Sequence, residues 1–257
     1  MANYDILGNI AIVKFPDETT KEEKLKKAEE LLKIPSVKTV LEKTEKVSGR
    51  LRTIKTRFLV GEKNLVADYR ESNCRFRFNV ETCYFSPRLS NERLEVAKMI
   101  KKLKNPSVLV MFAGVGPFSI VISKYAKTKK VVSVELGKEC CKYARENMGL
   151  NKIYSDSEII QGDVNKIISK LGEKFDVIVM PRPNLKDTFL KSALSAAKKG
   201  TLIIYYGFCA ESKKDEMLKW LEKEAKKCKR KIKILKVKEA GDIAPYEHRY
   251  RIEIKVL

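Results

Sequence analysis

The sequence predicts an α/β protein. A mostly parallel, seven-stranded sheet is flanked by helices, its last two strands form an antiparallel hairpin, and a small α+β domain precedes it. Two observations carry this. From Ser107 onward short apolar runs alternate with amphipathic helical stretches, the pattern of βαβ units. Before about residue 86, β-like runs surround a single helix and the alternation is missing. A chain of 257 residues with 44% hydrophobic residues can fill a small and a medium core, and the expected division is 1–85 and 86–257.

In chain order, Ile10–Lys14 reads as a strand, and Thr20 with Glu23 forms a capping box for a helix over Lys21–Lys33, with Leu25, Ala28, Leu31 and Leu32 on one stripe. Leu51–Val60, Leu65–Tyr69 and Arg75–Asn79 read as strands; in the last, Phe76 and Phe78 alternate with Arg75 and Arg77. A helix is expected over Asn91–Lys104 with Ser90 as its N-cap. Strands then follow at Ser107–Met111, Val131–Glu135, Glu158–Gln161, Val177–Met180 and Thr201–Gly207. The helices between and after them are Phe118–Ala126, Lys138–Met148, Val164–Leu171, Lys186–Ala197 and Ser212–Cys228. The closing strands, Lys231–Glu239 and Arg249–Leu257, have too short a connection for a parallel crossover.

Charge narrows the partners. Lys and Arg number 54 against 33 Asp and Glu, a net +21 that attracts polyanions, nucleic acid before an anionic membrane; a general lysine bias would give the same composition. None of the six cysteines has C-x-x-C spacing and His248 is the only histidine, so no zinc site or disulfide framework is expected and the thiols read as isolated and buried. Met1–Asn9 lacks a signal-peptide pattern and no apolar run approaches the roughly 20 residues of a membrane span, which leads to the expectation of a cytoplasmic protein.

The first βα turn, Phe112-Ala113-Gly114-Val115-Gly116-Pro117-Phe118, follows an apolar strand and opens a helix, a place where glycines let backbone approach a ligand. Glu135 closes the next strand about 20 residues on, where an acid binds a ribose diol, and Gly162-Asp163 puts a second acid at the end of the strand after that. Ser119 stands where a dinucleotide fingerprint needs its third glycine, and no Gly-Lys-Ser/Thr follows, so a single nucleoside ligand is favoured and a P-loop excluded. Each acid alone could be a helix-capping charge. The fourth strand ends in Met180-Pro181-Arg182-Pro183-Asn184, a stiff loop with few backbone donors beside the expected crevice.

Cys83-Tyr84-Phe85-Ser86-Pro87-Arg88-Leu89-Ser90-Asn91-Glu92-Arg93, followed by Met111-Phe112-Ala113-Gly114-Val115-Gly116-Pro117-Phe118, closely resembles the archaeal and eukaryotic tRNA (guanine-N1)-methyltransferase family, which acts at position 37. Tyr4-Asp5-Ile6-Leu7-Gly8-Asn9-Ile10-Ala11 resembles the start of that family's middle domain, so an extra N-terminal domain is expected to be absent and docking to rest on the small domain. The resemblance implies a class I Rossmann-like methyltransferase fold, S-adenosyl-L-methionine as cofactor, no metal, and a monomer acting on the anticodon stem-loop of tRNA, tRNA-Phe above all. It implies that Phe112, Ala113, Gly114, Gly116 and Met180 border the cofactor, Glu135 and Leu136 its ribose, and Asp163 and Val164 its adenine. Tyr84 and Arg88 fall on its methionine side; Glu92 matches the general base for the guanine N1 proton and Arg52 the cation at O6. Those types suit the chemistry, because N1 must lose a proton before it accepts a methyl group. The alternatives are a first-turn acid paired with an arginine for Glu92, and a phosphate contact for Arg52.

Val110 replaces the family's acid before the Phe-Ala-Gly run, and Pro181-Arg182-Pro183 replaces its Asn-Leu-Pro. The Pro-x-Pro loop resembles the archaeal subgroup that also methylates C7 of the wyosine precursor 4-demethylwyosine. Pro181 and Pro183 then shape the site, and Arg182, Asn184 and Arg93 are expected to contact the base. Arg50, Arg52, Lys55, Arg57, Arg75 and Arg77, interleaved with Tyr69, Phe76 and Phe78, are further expected tRNA contacts, with core packing preferred for the two phenylalanines. Wyosine-pathway aminocarboxypropyl transferases share much of this pattern, and a non-catalytic tRNA-binding module is the third reading. A DNA or protein methylase is disfavoured by the absence of Asn/Asp-Pro-Pro-Tyr. His248 is assigned no role.

Overall fold

The computed structural model describes residues 3–45, 49, 51–154, 156–244 and 246–257. Its N-terminal sheet has the order β1-β2-β3-β4: β1 (Asn3–Leu7), β2 (Ile10–Lys14), β3 (Thr39–Lys43) and β4 (Thr56–Gly61). Helix α1 (Lys21–Leu32) crosses over between the parallel β2 and β3 and packs on β3 and β4. The expected capping box is present: Glu23 N donates to Thr20 Oγ1 (3.2 Å) and Thr20 N to Glu23 Oε2 (2.8 Å).

β1 and β3 are additions to the elements expected from the sequence. β3 hides because its burial is nearly continuous and takes in polar groups. Thr39 Oγ1 donates to the Glu62 carbonyl (2.8 Å), and Glu42 accepts from Lys24 Nζ (2.6 Å). The expected strand from Leu51 begins only at Thr56, because Arg52 takes a left-handed φ of 56° and closes a turn on Gly49.

A separate two-stranded ribbon follows, β5 (Val66–Glu71) and β6 (Cys74–Asn79). The C-terminal sheet comprises β7 (Ser107–Met111), β8 (Lys130–Glu135), β9 (Ser157–Gln161), β10 (Phe175–Met180), β11 (Ala197–Ala210), β12 (Ile232–Ala244) and β13 (Glu247–Val256). Its order is β12-β13-β11-β10-β7-β8-β9, parallel from β7 to β11, with β13 antiparallel to both β11 and β12. The helices are α2 (Ser90–Lys101), α3 (Pro117–Tyr125), α4 (Lys138–Leu150), α5 (Val164–Ile167), α6 (Leu190–Ser195) and α7 (Lys214–Lys227).

Strand order reverses between β7 and β10, and in such sheets the crevice opens at the carboxyl ends beside the switch. The central strands are buried on both faces: Val108, Val110, Val177 and Val179 enter one core, Leu109, Met111, Ile178 and Met180 the other. The ribbon shares the first of these cores. Phe76 and Phe78 are fully buried, and Asn151, the C-cap of α4, and Asn147 within it accept from the backbone N–H of Arg75 (2.9 Å) and Arg77 (2.7 Å) and donate back to the same residues' carbonyls. Two asparagines thus satisfy the β6 edge as a third strand would.

Two expectations change. Ser90 is the first residue of α2 rather than a side-chain cap, since the 3-10 turn Pro87–Leu89 runs into the helix. The helix expected over 186–197 shrinks to α6, because Ala197 pairs with Phe175 and Ala196 accepts from the Phe175 N–H (3.0 Å), drawing the segment into β11. Among the described residues no helix is long and apolar enough to cross a membrane.

Candidate active site

A crevice opens at the carboxyl ends of the parallel strands, where open α/β sheets bind their ligands. Its floor is the β7–α3 turn. Phe112 (φ 59°), Gly114 (φ 56°) and Gly116 (φ 86°) are all left-handed, and for Phe112 that conformation costs on the order of 1–2 kcal/mol. The ring of Phe112 packs edge-on against Phe189 at 4.8 Å, which holds the turn.

Glu135, the last residue of β8, organises the backbone opposite. Its Oε2 accepts from the Gly114 N–H and its Oε1 from the Gly137 N–H, each at 2.8 Å. An ionised carboxylate offers about four acceptor directions, so two remain, one per oxygen. That matches the two hydroxyls of a ribose diol. Leu136, Val164, Pro117 and Phe118 supply apolar wall, and Asp163, N-cap of α5 through a 2.9 Å bond from Asn165 N, lies on the same wall.

Tyr84, Phe85, Ser86 and Arg52 line this crevice and a second cleft that runs from it towards the small sheet. The Arg52 guanidinium lies 3.8 Å from the Tyr84 ring centroid, a cation–π contact that gives the cation a fixed place in the wall. The wall is anchored by Arg93, whose side chain is 2% exposed. It makes a two-point ion pair with Glu71 (2.5 Å each) and donates to the Ser86 carbonyl (3.0 Å).

Arg52, Tyr84, Arg93, Phe112, Ala113, Gly114, Glu135, Leu136, Asp163, Val164, Pro181 and Pro183 line the crevice as expected from the sequence; six other expected residues do not. Gly116 faces Ile120 and Ala144 and serves the turn. Met180 is fully buried in the second core. Arg182 is turned inward, where Nη1 donates to the carbonyls of Pro183, Leu185 and Asp187 and the guanidinium lies over Tyr205 and Phe208. Asn184 is exposed at the loop tip. Arg88 is paired with Asp5 (3.0 Å) and lines the second cleft, not the crevice. Glu92 is buried behind the wall, accepting from Arg251 Nη1 (2.9 Å) and the Tyr206 hydroxyl (3.1 Å), with Lys238 at 3.4 Å. Burial and the Glu92 charge hold the Tyr206 hydroxyl well above its ordinary pKa, so it stays a donor.

Several expected tRNA contacts are already engaged. Arg75 pairs with Asp68, Arg77 with Glu146, Lys55 with Glu45 and Arg57 with Glu42; Arg50 lies outside the described residues. The thiols are not all isolated: Cys140, on the crevice wall, has its sulfur 2.8 Å from that of Cys83. His248 sits between Asp242 (2.8 Å) and Glu239 (3.3 Å) at the closing hairpin's tip. Leu51, Leu89, Leu185 and Phe189 complete the crevice unheralded, since a lone apolar residue in a loop looks the same whether it packs or lines a site.

Comparison with known proteins gives the same picture. The family model for the TRM5/TYW2 methyltransferase domain matches residues 67–235, and that for the TYW2 N-terminal domain matches residues 1–64. The tRNA (guanine(37)-N(1))-methyltransferase Trm5b of Pyrococcus abyssi is 33% identical over 99% of this chain and 74% of its own length. The tRNA (guanine(37)-N(1))/4-demethylwyosine(37)-methyltransferase Taw22 of Nanoarchaeum equitans is 31% identical, covering 99% of this chain and all of its own. In the solved complex of aTrm5 with tRNALeu, the enzyme chain superposes with a TM-score of 0.88 at 27% identity, over 99% of this chain and 72% of that one. With family models covering the small sheet and most of the C-terminal sheet, and two relatives above 30% identity aligned over 99% of this chain, the chain belongs to the TRM5/TYW2 methyltransferase family.

Proposed function

We propose that the protein transfers a methyl group from S-adenosyl-L-methionine to N1 of guanine 37 in tRNA. The observation that carries this is Glu135, held by two backbone N–H groups with two acceptor directions left, beside a left-handed Gly-rich turn in a crevice that opens into a cation-lined cleft. When bound, S-adenosyl-L-methionine supplies an electrophilic methyl group; the residues that fit it are Glu135 for the ribose and Phe112, Leu136, Asp163 and Val164 for the adenine side.

The chain's own part is to hold guanine and manage its N1 proton. Arg52, fixed against Tyr84, donates to O6 and stabilises the negative charge that grows there as N1 is deprotonated. Glu92 is the proposed acceptor of that proton; Tyr206 and Arg251 hold its Oε2 and Lys238 stands 3.4 Å from its Oε1, so the carboxylate must turn from these partners to reach the base. Pro181 and Pro183 form the far wall, braced from behind by Arg182. A second substrate, 4-demethylwyosine in tRNA-Phe, is favoured by the similarity to Taw22 and by this loop, which presents proline rings rather than an amide to the base.

The test uses tritiated S-adenosyl-L-methionine with tRNA transcripts bearing guanine or adenine at position 37. Incorporation that requires guanine supports the reading; incorporation that ignores the substitution, or none into either transcript, overturns it.

A further inference from the structure

Arg249 and Arg251 lie two residues apart on β13, and both are nearly buried, 7% and 3% exposed. Buried cations are kept charged by acids packed against them. Arg251 has three: Glu92 and Glu95, each at 2.9 Å, and Glu253 at 3.4 Å. Arg249 has none. Among the described residues its guanidinium makes no hydrogen bond or ion pair; it lies over the Phe208 ring at 5.6 Å and lines the second cleft. Burial and the Arg52 charge both oppose its protonated form, and the attraction of Glu92 is already directed at Arg251.

The rest of the cleft has the same imbalance. Of the two acids on its wall, Asp5 is paired with Arg88, and Asp242 is largely exposed at the rim with its carboxylate on His248 Nδ1. Lys14, Lys43 and Arg52 make no ion pair among the described residues, and for Lys43 burial and the Lys14 charge outweigh the attraction of Asp5 and disfavour its charged form. With Arg249 they give the cleft four cations, one exposed and one nearly buried, an excess of positive charge that favours an anion from outside. Because the cleft shares Arg52, Tyr84, Phe85 and Ser86 with the cofactor crevice, that anion lies next to the reacting base.

We infer that this cleft, between the small sheet and the closing hairpin, binds a backbone phosphodiester at or beside the target nucleotide, with Arg249 as its principal contact. The inference rests on the proposed RNA substrate and names a site within it. The phosphate completes a charge set that the free protein leaves open, so binding is coupled to the seating of the base.

The test is a double-substitution cycle on an anticodon stem-loop RNA. Single methylphosphonates, which remove one phosphate charge, are placed on either side of the target nucleotide and bound to the parent protein and to Arg249→Gln. One methylphosphonate should weaken binding to the parent by about tenfold, the scale of one lost charge-assisted hydrogen bond. Arg249→Gln should weaken the unmodified RNA by a similar factor and show no further loss on that methylphosphonate. Its salt dependence should fall by about 0.7 in log–log slope, one phosphate contact on a single strand. The free variant should unfold no earlier than the parent, because it loses an unpaired buried cation, and its S-adenosyl-L-methionine affinity should be unchanged. Additive losses, or unchanged RNA binding by Arg249→Gln, would overturn the site. Loss of cofactor affinity with RNA affinity intact would assign Arg249 to the cofactor carboxylate instead. If the parent itself does not bind the unmodified RNA, the proposed substrate fails before this site is tested.

Discussion

Glu71→Gln isolates the ion pair that holds up one wall of the crevice. Glu71 and Arg93 are each 2% exposed at the side chain and meet through two contacts of 2.5 Å. Removing one member of a buried pair strands the other charge, at a cost of about 3–5 kcal/mol. For a chain of this size about 4 kcal/mol lowers Tm by about 8–16 °C. Arg93→Met should cost at least as much, since it also abandons the Ser86 carbonyl and the faces of Phe85 and Phe118. The double variant Glu71→Leu/Arg93→Met leaves no stranded charge, so its loss should fall well short of the sum of the single losses. Urea unfolding followed by circular dichroism measures all three. Additive losses, or a Glu71→Gln cost below about 1 kcal/mol, would refute the reasoning, because the pair would then behave like a solvated one.

Further predictions concern the crevice. Glu135→Gln turns an amide N–H₂ towards Gly114 N or Gly137 N, two donors facing each other, and should raise the S-adenosyl-L-methionine Kd by about 10- to 100-fold by calorimetry with the fold intact. Arg182→Ala removes the donor shared by three loop carbonyls; it should cost about 2–4 kcal/mol and expose residues 181–189 to limited proteolysis. Glu92→Gln should lower kcat/KM by about 10²–10⁴-fold; a drop no larger than the accompanying loss of folded protein would make the residue structural.

The fold was largely legible because its signals are local. Alternating β and α runs reveal the mostly parallel C-terminal sheet with its closing hairpin, and the Thr20–Glu23 box marks α1 to within a residue. The signal fails where tertiary contacts override it. Thr39 and Glu42 are polar yet buried, because Glu62 and Lys24 answer them from elsewhere in the chain, so β3 lacks the expected alternation. Ala196-Ala197-Lys198-Lys199 has helical composition but is held in a sheet by Phe175. In the site, the residues that the βα turns position were readable: Gly114 and Glu135 line the crevice where their motifs put them. The arginines were not, because a sequence does not say which partner an arginine chooses. Arg182 looked like a substrate contact and is turned inward by three carbonyls instead, while Arg93 lines the crevice but is held by Glu71 and the Ser86 carbonyl that folding brings within reach. Arg249 went unremarked for the converse reason: what marks it is a partner it lacks.

Methyl transfer to guanine 37 is tested by the product itself. The purified protein is incubated with S-adenosyl-L-methionine and tRNA-Phe carrying either unmodified guanine or 4-demethylwyosine at position 37, and the RNA is digested to nucleosides for mass spectrometry. The predicted result is one added methyl, recovered as N1-methylguanosine from the first tRNA, with a methylated tricyclic base from the second. An added aminocarboxypropyl group, or unchanged nucleosides from tRNA that the protein demonstrably binds, would contradict it.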